Sequence, residues 1–288
     1  MIDVIYDMET QDPDDLFAMS ILSHHPDVTL RAVTITPGSR KQVGIIKKAQ
    51  ERLEIDIPIG SFNPDHEKDC VSGWWPKFLG DAAARDPSGL SHVVIDDILK
   101  DFPDTTVITG GPLKNFRAWL ETPTRIKRWV AQGGFAGDSV VPEQYRLKKF
   151  DGLETCPTFN FNGDPKTALK MLSTSLVERR VLVSKNVCHG VTYGPKFHKL
   201  FADHKNKNPG LKLVYDGMDL YLSKKRDGKM FHDPLACIVA INEDVVDLRE
   251  VEVYREKGKW GSRLKDGTNT FISVSVDKMK MFETMVMS

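Results

Sequence analysis

The chain has little of what would send it out of the cell, into a bilayer or onto a polyanion. Four of its 288 residues are cysteine (Cys70, Cys156, Cys188, Cys237), scattered without paired spacing. That excludes a disulfide framework and a cysteine-based zinc motif, and predicts reduced thiols in a cytoplasmic protein. Net charge is absent, with 40 Lys and Arg against 40 Asp and Glu. Nucleic-acid and membrane-surface binders carry a basic bias, so neither partner is expected. No apolar run approaches the ~20 residues that span a bilayer, and the opening MIDVIYD lacks the basic-then-apolar order of a signal peptide. Linkers rich in Pro, Gly or Ser, internal repeats and low-complexity tracts are missing too, so one domain over 1–288 is expected. The apolar fraction of 40%, with 14 Phe and 5 Trp, suffices for a sizeable core.

Acid, by contrast, is concentrated in one place. The stretch Asp7-Met8-Glu9-Thr10-Gln11-Asp12-Pro13-Asp14-Asp15 holds five carboxylates in nine residues. It follows a short apolar run, Ile2 to Tyr6, and precedes a helical spacing of Leu16, Phe17, Met19, Ile21 and Leu22. The acids therefore sit between a first strand and a helix N-terminus, where negative charge is favoured. Capping accounts for one or two of them. Five on a tight loop repel one another, and a hard divalent cation with oxygen ligands, Ca²⁺ or Mg²⁺, relieves that repulsion.

Strand-like and helical runs then alternate. Strands are expected at Val28–Ile35, Ile57–Ile59, Thr105–Thr109, Arg125–Ala131 and Val181–Ser184, and helices at Gln42–Leu53, Ser91–Lys100, Asp164–Leu172, Gly194–Phe201 and Leu235–Asn242. Residues 61–89 and 137–157 are long loops, and Lys205–Gly210 is a basic turn. The tail departs from this alternation. Leu248–Tyr254 and Thr270–Val276 are expected to form an antiparallel pair joined through Gly258, Gly261 and Gly267, before a last helix at Asp277–Met287. The prediction is an α/β fold: an open, mostly parallel, Rossmann-like central sheet with helices on both faces and a C-terminal antiparallel strand pair. Ligands of such sheets bind beyond the carboxyl ends of the strands. The opening acids, Thr109-Gly110-Gly111, Gly133-Gly134 and Asn186–His189 all follow strands, so one crevice is expected to gather them.

Several stretches together resemble the inosine–uridine-preferring nucleoside hydrolase family. The acidic opening is similar to its D-x-D-P-G-x-D-D, one residue longer. Gly111-Pro112-Leu113-Lys114-Asn115 is similar to G-P-L-T-N, Trp129 to Gly134 to a V-V-M-G-G strand end, and Phe159-Asn160-Phe161-Asn162-Gly163-Asp164-Pro165 to E-F-N-x-x-x-D-P. Val187-Cys188-His189 stands at V-T-H, and His232-Asp233-Pro234-Leu235-Ala236 at the late His-Asp motif. The order holds from end to end.

The resemblance implies a hydrolase that cleaves the N-glycosidic bond of a ribonucleoside, a homodimer or homotetramer serving purine or pyrimidine salvage, with one Ca²⁺. It implies Asp15 and Asp233 as metal ligands, joined by a carbonyl of Thr109 or Gly110 and by Glu9. Asp14 and Asn160 would hold sugar hydroxyls. Glu9 is the nearest counterpart of the general base, with Asp12 its rival. His232 is the candidate proton donor to the leaving base, ahead of Tyr145 and His189. Phe159, Trp74 and Trp75 are candidates for contact with the substrate. Thr158 replaces the Glu that grips a 5′-hydroxyl, so a modified nucleoside fits the pattern, and the position of Arg40 allows an anionic one. Two other readings exist: a non-catalytic binder of ribosyl ligands on the same fold, and a metal-dependent phosphatase, from the likeness of Asp7-Met8-Glu9-Thr10 to D-x-D-x-T.

Overall fold

The computed structural model describes residues 1–122 and 124–287. Its strands are β1 (Ile2–Met8), β2 (Val28–Ile35), β3 (Ile59–Ser61), β4 (Gly89–Leu90), β5 (Thr106–Thr109), β6 (Ile126–Gln132), β7 (Thr155–Cys156), β8 (Val177–Val183), β9 (Thr192–Tyr193), β10 (Lys229–Met230), β11 (Val246–Glu256), β12 (Lys259–Leu264) and β13 (Thr270–Val276). Eleven of them form one sheet in the order β4-β3-β2-β1-β5-β6-β8-β13-β11-β12-β7. From β4 to β13 neighbours run parallel; β13–β11, β11–β12 and β12–β7 are antiparallel. The chain winds outward from β1 through β2 to β4, then returns to the other side of β1 at β5. That reversal opens a crevice at the carboxyl ends of β1 and β5.

Both faces of the sheet are covered, so β1 is an apolar run rather than an alternating one. Val4, Tyr6 and Met8 join the larger core cluster, with the helices Asp14–His24 and His232–Ile241; Ile5 joins the second, with Val107, Trp129 and Ile272. Side chains alternate along a strand, so Asp7 points to the Ile5 face, away from Tyr6. The Asp14–His24 helix is buried from Asp14 to Leu22. Gly210 lets its neighbour approach closely: a Cβ there would lie 2.2 Å from Ser20 O.

The predicted α/β architecture is present. The tail is richer than the expected pair, because β12 fills the segment between β11 and β13. Gly258 (φ 81°) makes the turn into β12, while Gly261 lies inside that strand. β8 begins four residues before the expected Val181, at Val177. The charged Glu178-Arg179-Arg180 hides it: Arg180 is buried and donates to Met171 O, and Arg179 pairs with Glu243. The loop at 61–89 contains a short helix, Trp74–Leu79. Helix Pro209–Leu222, capped by Asn208, escapes the sequence pattern because Pro209, Gly210 and Gly217 obscure its apolar stripe of Leu211, Val214 and Met218.

Candidate active site

A cavity of about 320 Å³ opens at the crevice beside β1 and β5. It is lined by Glu9, Gln11, Asp12, Asp14, Asp15, Gly110, Gln132, Phe159, Asn160, His232 and Asp233. β1 ends at Met8, so Glu9 leaves the sheet edge directly into the cavity. Its backbone N–H donates to Asp15 Oδ1 (3.0 Å), and the Tyr6 hydroxyl lies 3.4 Å from the same oxygen. Asp15 Oδ2 is buried with no hydrogen-bond partner. Asp14 bridges the two ends of the chain: its Oδ2 accepts the backbone N–H groups of His232 (3.2 Å) and Asp233 (3.3 Å), the first turn of the second helix. Lys229 Nζ donates to Asp14 Oδ1 (3.2 Å) and Asp12 Oδ1 (2.9 Å).

Asp14, Asp15 and Asp233 are all buried and offer carboxylate oxygens within 4.8 Å of one another. Burial and the charge of Asp233 hold Asp15 well above the usual carboxylate range; burial and Asp14 do the same for Asp233. Burial, then Asp12 and Asp14, pushes Glu9 up to about 7, and burial with Asp14 takes Asp12 to about 6 despite Lys229. This is the electrostatic signature of too much negative charge in one place. The donors are all oxygen, one buried oxygen is orphaned, and Gly110 leaves the centre open: a Cβ there would lie 3.0 Å from the Asp233 carboxylate. These residues fit a hard divalent cation.

Around the His232 ring the surroundings are different in kind. The rings of His232 and His189 lie 4.9 Å apart, and His189 Nδ1 is 2.6 Å from Lys149 Nζ. His232 Nε2 is buried without a partner. Burial, then the charge of Lys229, lowers His232 to about 4, so at neutral pH it is an uncharged imidazole with one N–H to give. Gln132 ties the two regions together: its Oε1 accepts from Asn160 Nδ2 (2.7 Å) and its Nε2 donates to Cys188 Sγ (3.3 Å). Asn160 Nδ2 also reaches Gly110 O (2.9 Å), while Phe159, 67% exposed, stands at the rim.

Across residues 4–283 the sequence matches the model of the inosine-uridine preferring nucleoside hydrolase family. The chain belongs to this family. An uncharacterized protein of Aquifex aeolicus (strain VF5) is 28% identical over 286 residues, covering 95% of this chain and 94% of its own. A crystal structure of an inosine-uridine preferring nucleoside hydrolase from Bacillus anthracis has a TM-score of 0.73 at 16% identity, covering 99% of this chain and 98% of that one. A purine-preferring ribonucleoside hydrolase from Gardnerella vaginalis has 0.71 at 18%, covering 99% and 97%. At such identities these two likenesses establish the shared fold. Family membership makes the chain a nucleoside hydrolase, an N-glycosidase.

Within this nucleoside hydrolase, eight expected residues meet at the cavity: Glu9, Asp12, Asp14, Asp15, Phe159, Asn160, His232 and Asp233. Of the two candidate carbonyls, the structure brings Gly110 to the cavity wall; Thr109 stays in β5, its hydroxyl accepting from the Trp129 indole (3.0 Å). Trp74 and Trp75 are not brought to the cavity. Trp75 is fully buried, and the partly buried Trp74 stacks on Phe78 (4.9 Å) and meets Phe17 in a T-shaped contact, because packing both indoles against the core removes more apolar surface from water than a wet rim would. Arg40 is also elsewhere, paired with Asp65 and Asp86, so it cannot serve an anionic substrate in this cavity. Tyr145 lies on an exposed turn outside the cavity. Asp7 cannot act as a phosphatase nucleophile there: its carboxyl is buried on the other face, holding the Thr34 hydroxyl (2.6 Å) and the Asn115 amide. Burial pushes the Cys188 thiol up to about 12, leaving it inert at neutral pH.

Gln132 and Lys229 are the site residues that sequence reasoning misses. Gln132 ends β6 immediately before Gly133-Gly134, and the rule that strand ends face the ligand could have found it. Nothing local marks Lys229, which follows a run of exposed residues at 223–227.

Proposed function

We propose that this chain hydrolyses the N-glycosidic bond of a ribonucleoside to free base and ribose with the help of one Ca²⁺. The carrying observation is that Glu9, Asp14, Asp15 and Asp233, drawn from ends of the chain more than 200 residues apart, converge with Asn160 and His232 on one cavity. Asp15, Asp233, Glu9 and the Gly110 carbonyl would hold the ion. When bound, it would lower the pKa of a coordinated water and offset the massed carboxylates.

The protein groups supply the rest. Glu9 makes no ion pair in the cavity and has a raised pKa, so it is the carboxylate free to take the water's proton. Asp12, committed to Lys229, is the weaker rival. Asp14 and the Asn160 side-chain oxygen would accept hydrogen bonds from the sugar hydroxyls, and the surrounding negative charge favours an oxocarbenium-like sugar. The His232 N–H would stabilise the departing base, against which the exposed Phe159 ring can lie. Thr158, buried with its hydroxyl unpartnered, supports a substrate whose 5′ end is not gripped by an anion. The homodimer or homotetramer, the salvage role and the cytoplasmic setting belong to the same proposal. Among the described residues, no helix is long and apolar enough to cross a membrane.

The test is a reducing-sugar assay over a panel of purine and pyrimidine ribonucleosides, with and without a calcium chelator. Turnover that chelation abolishes and added Ca²⁺ restores is expected. Stoichiometric calcium with no turnover on any nucleoside would instead favour the ligand-binding reading.

A further inference from the structure

Lys229 is a rare kind of side chain: a lysine only 6% exposed, in the two-residue strand β10 that leads into the His232–Ile241 helix. All three ammonium protons have acceptors within the chain: Asp12 Oδ1 at 2.9 Å, Asp14 Oδ1 at 3.2 Å and Met230 O at 2.9 Å. A lysine is left this deep only when its charge is matched and its donors are satisfied. The partners it has chosen are informative. Asp14 is the carboxylate whose other oxygen accepts the N–H groups of His232 and Asp233, so Lys229 completes a set of three donors that fixes its plane. Asp12 is the half-exposed acid of the lengthened loop, and it lines the cavity.

The loop is fastened at its other end by Thr10. The Thr10 hydroxyl donates to Cys70 O and accepts from Gln42 Nε2 (both 2.9 Å), and Thr10 O accepts the Ser72 N–H (2.9 Å). Between these anchors Gln11 stands exposed. A loop with an extra residue gains freedom that would let Asp12 swing toward the metal ligands and compete with Glu9. One ion pair removes that freedom.

We propose that Lys229 is a positioning residue: its ammonium anchors the lengthened loop through Asp12 and orients the Asp14 carboxylate toward the sugar, so that Glu9, held by no ion pair, faces the water without Asp12 as a competitor. The sugar half of this proposal rests on the nucleoside-hydrolase mechanism above; the anchoring half does not. The side chain touches neither substrate nor ion and acts only through Asp12 and Asp14.

The test uses the full-length, calcium-loaded protein with Lys229→Met, Lys229→Arg and the double variant Asp12→Asn/Lys229→Met. In Lys229→Met the KM for the best ribonucleoside should rise about tenfold or more while kcat falls less, the mark of lost substrate positioning. Backbone amides of residues 9–14 should exchange with deuterium roughly tenfold faster, while those of β11 and β13 keep their rates. The double variant should recover part of the KM loss, because Asp12 then no longer competes. Wild-type KM together with wild-type exchange in Lys229→Met overturns the proposal and leaves Lys229 a plain core ion pair. If Lys229→Met does not fold, the same two measurements on Lys229→Arg decide: a raised KM with faster loop exchange supports it, and wild-type values overturn it. A wild-type protein that turns over no nucleoside sinks the mechanism, and is told apart because the exchange arm still shows whether the loop is anchored.

Discussion

The two ends of the central sheet do different work. From β4 to β13 the strands are parallel, so their carboxyl ends share one edge, and Glu9, Gly110 and Gln132 are delivered there side by side. At the β11–β12 hairpin the strands alternate in direction, and no edge collects equivalent ends. That region instead closes the second core cluster with Val251 and Trp260, and it carries exposed pairs such as Lys265–Glu252. It reaches the site through Asn162, two residues beyond Asn160, whose Oδ1 accepts the Trp260 indole N–H (2.9 Å) and whose Nδ2 donates to Gly258 O (3.0 Å). Chemistry gathers where parallel strands end beside a chain reversal, and rigidity where the chain doubles back on itself.

Substitutions should break this contrast cleanly. The largest effect is expected from Asp15→Ala. Calorimetry should find the calcium site lost, and activity should fall by roughly 10³-fold or more, since metal activation of water disappears with it. Normal turnover in that variant would refute the site assignment. Next, Glu9→Gln removes the proposed proton acceptor while preserving shape, and kcat should drop by about 10²–10⁴-fold. Asp12→Asn, the internal control, should cost less than about tenfold because Asp12 is already spoken for by Lys229. A reversed ranking of these two would make Asp12 the base. At the antiparallel end, Val251→Ala should leave kcat and metal affinity near wild type while lowering unfolding free energy by roughly 1–3 kcal/mol, the scale of uncovering a fully buried valine. Thermal or urea denaturation measures that loss; a matching loss of kcat in the folded variant would erase the distinction between the two ends.

Much of the molecule is legible in residue order because parallel-sheet strands are short, apolar and punctuated. Val28–Ile35 is placed to the residue, and the helix expected at Asp164–Leu172 runs Pro165–Ser173 with Asp164 as its cap. The site acids are legible because five carboxylates beside a strand end have few bland explanations. What escapes depends on tertiary partners. Arg180 looks like surface until Met171 and Thr174 supply carbonyls for it, and Lys229 looks like solvent-facing charge until Asp12 and Asp14 surround it. Trp74 and Trp75 mislead in the opposite sense. Aromatic residues in an irregular segment invite a stacking role, yet the short helix that carries them buries Trp75 in the core and packs the partly buried Trp74 against it.

The bond from Asp14 to the backbone of His232 spans 218 residues of sequence. Loop-closure entropy makes such a contact among the costliest to form, and chains dominated by distant pairings fold slowly. The acidic cavity is therefore a late product of folding. A nascent chain that has emerged only as far as β8 carries the whole acidic loop but lacks Asp233 and the helix N-terminus that orients Asp14, and so lacks one of the three clustered carboxylates. A divalent cation that binds this cluster would therefore favour chains that include Asp233 over chains that stop at β8.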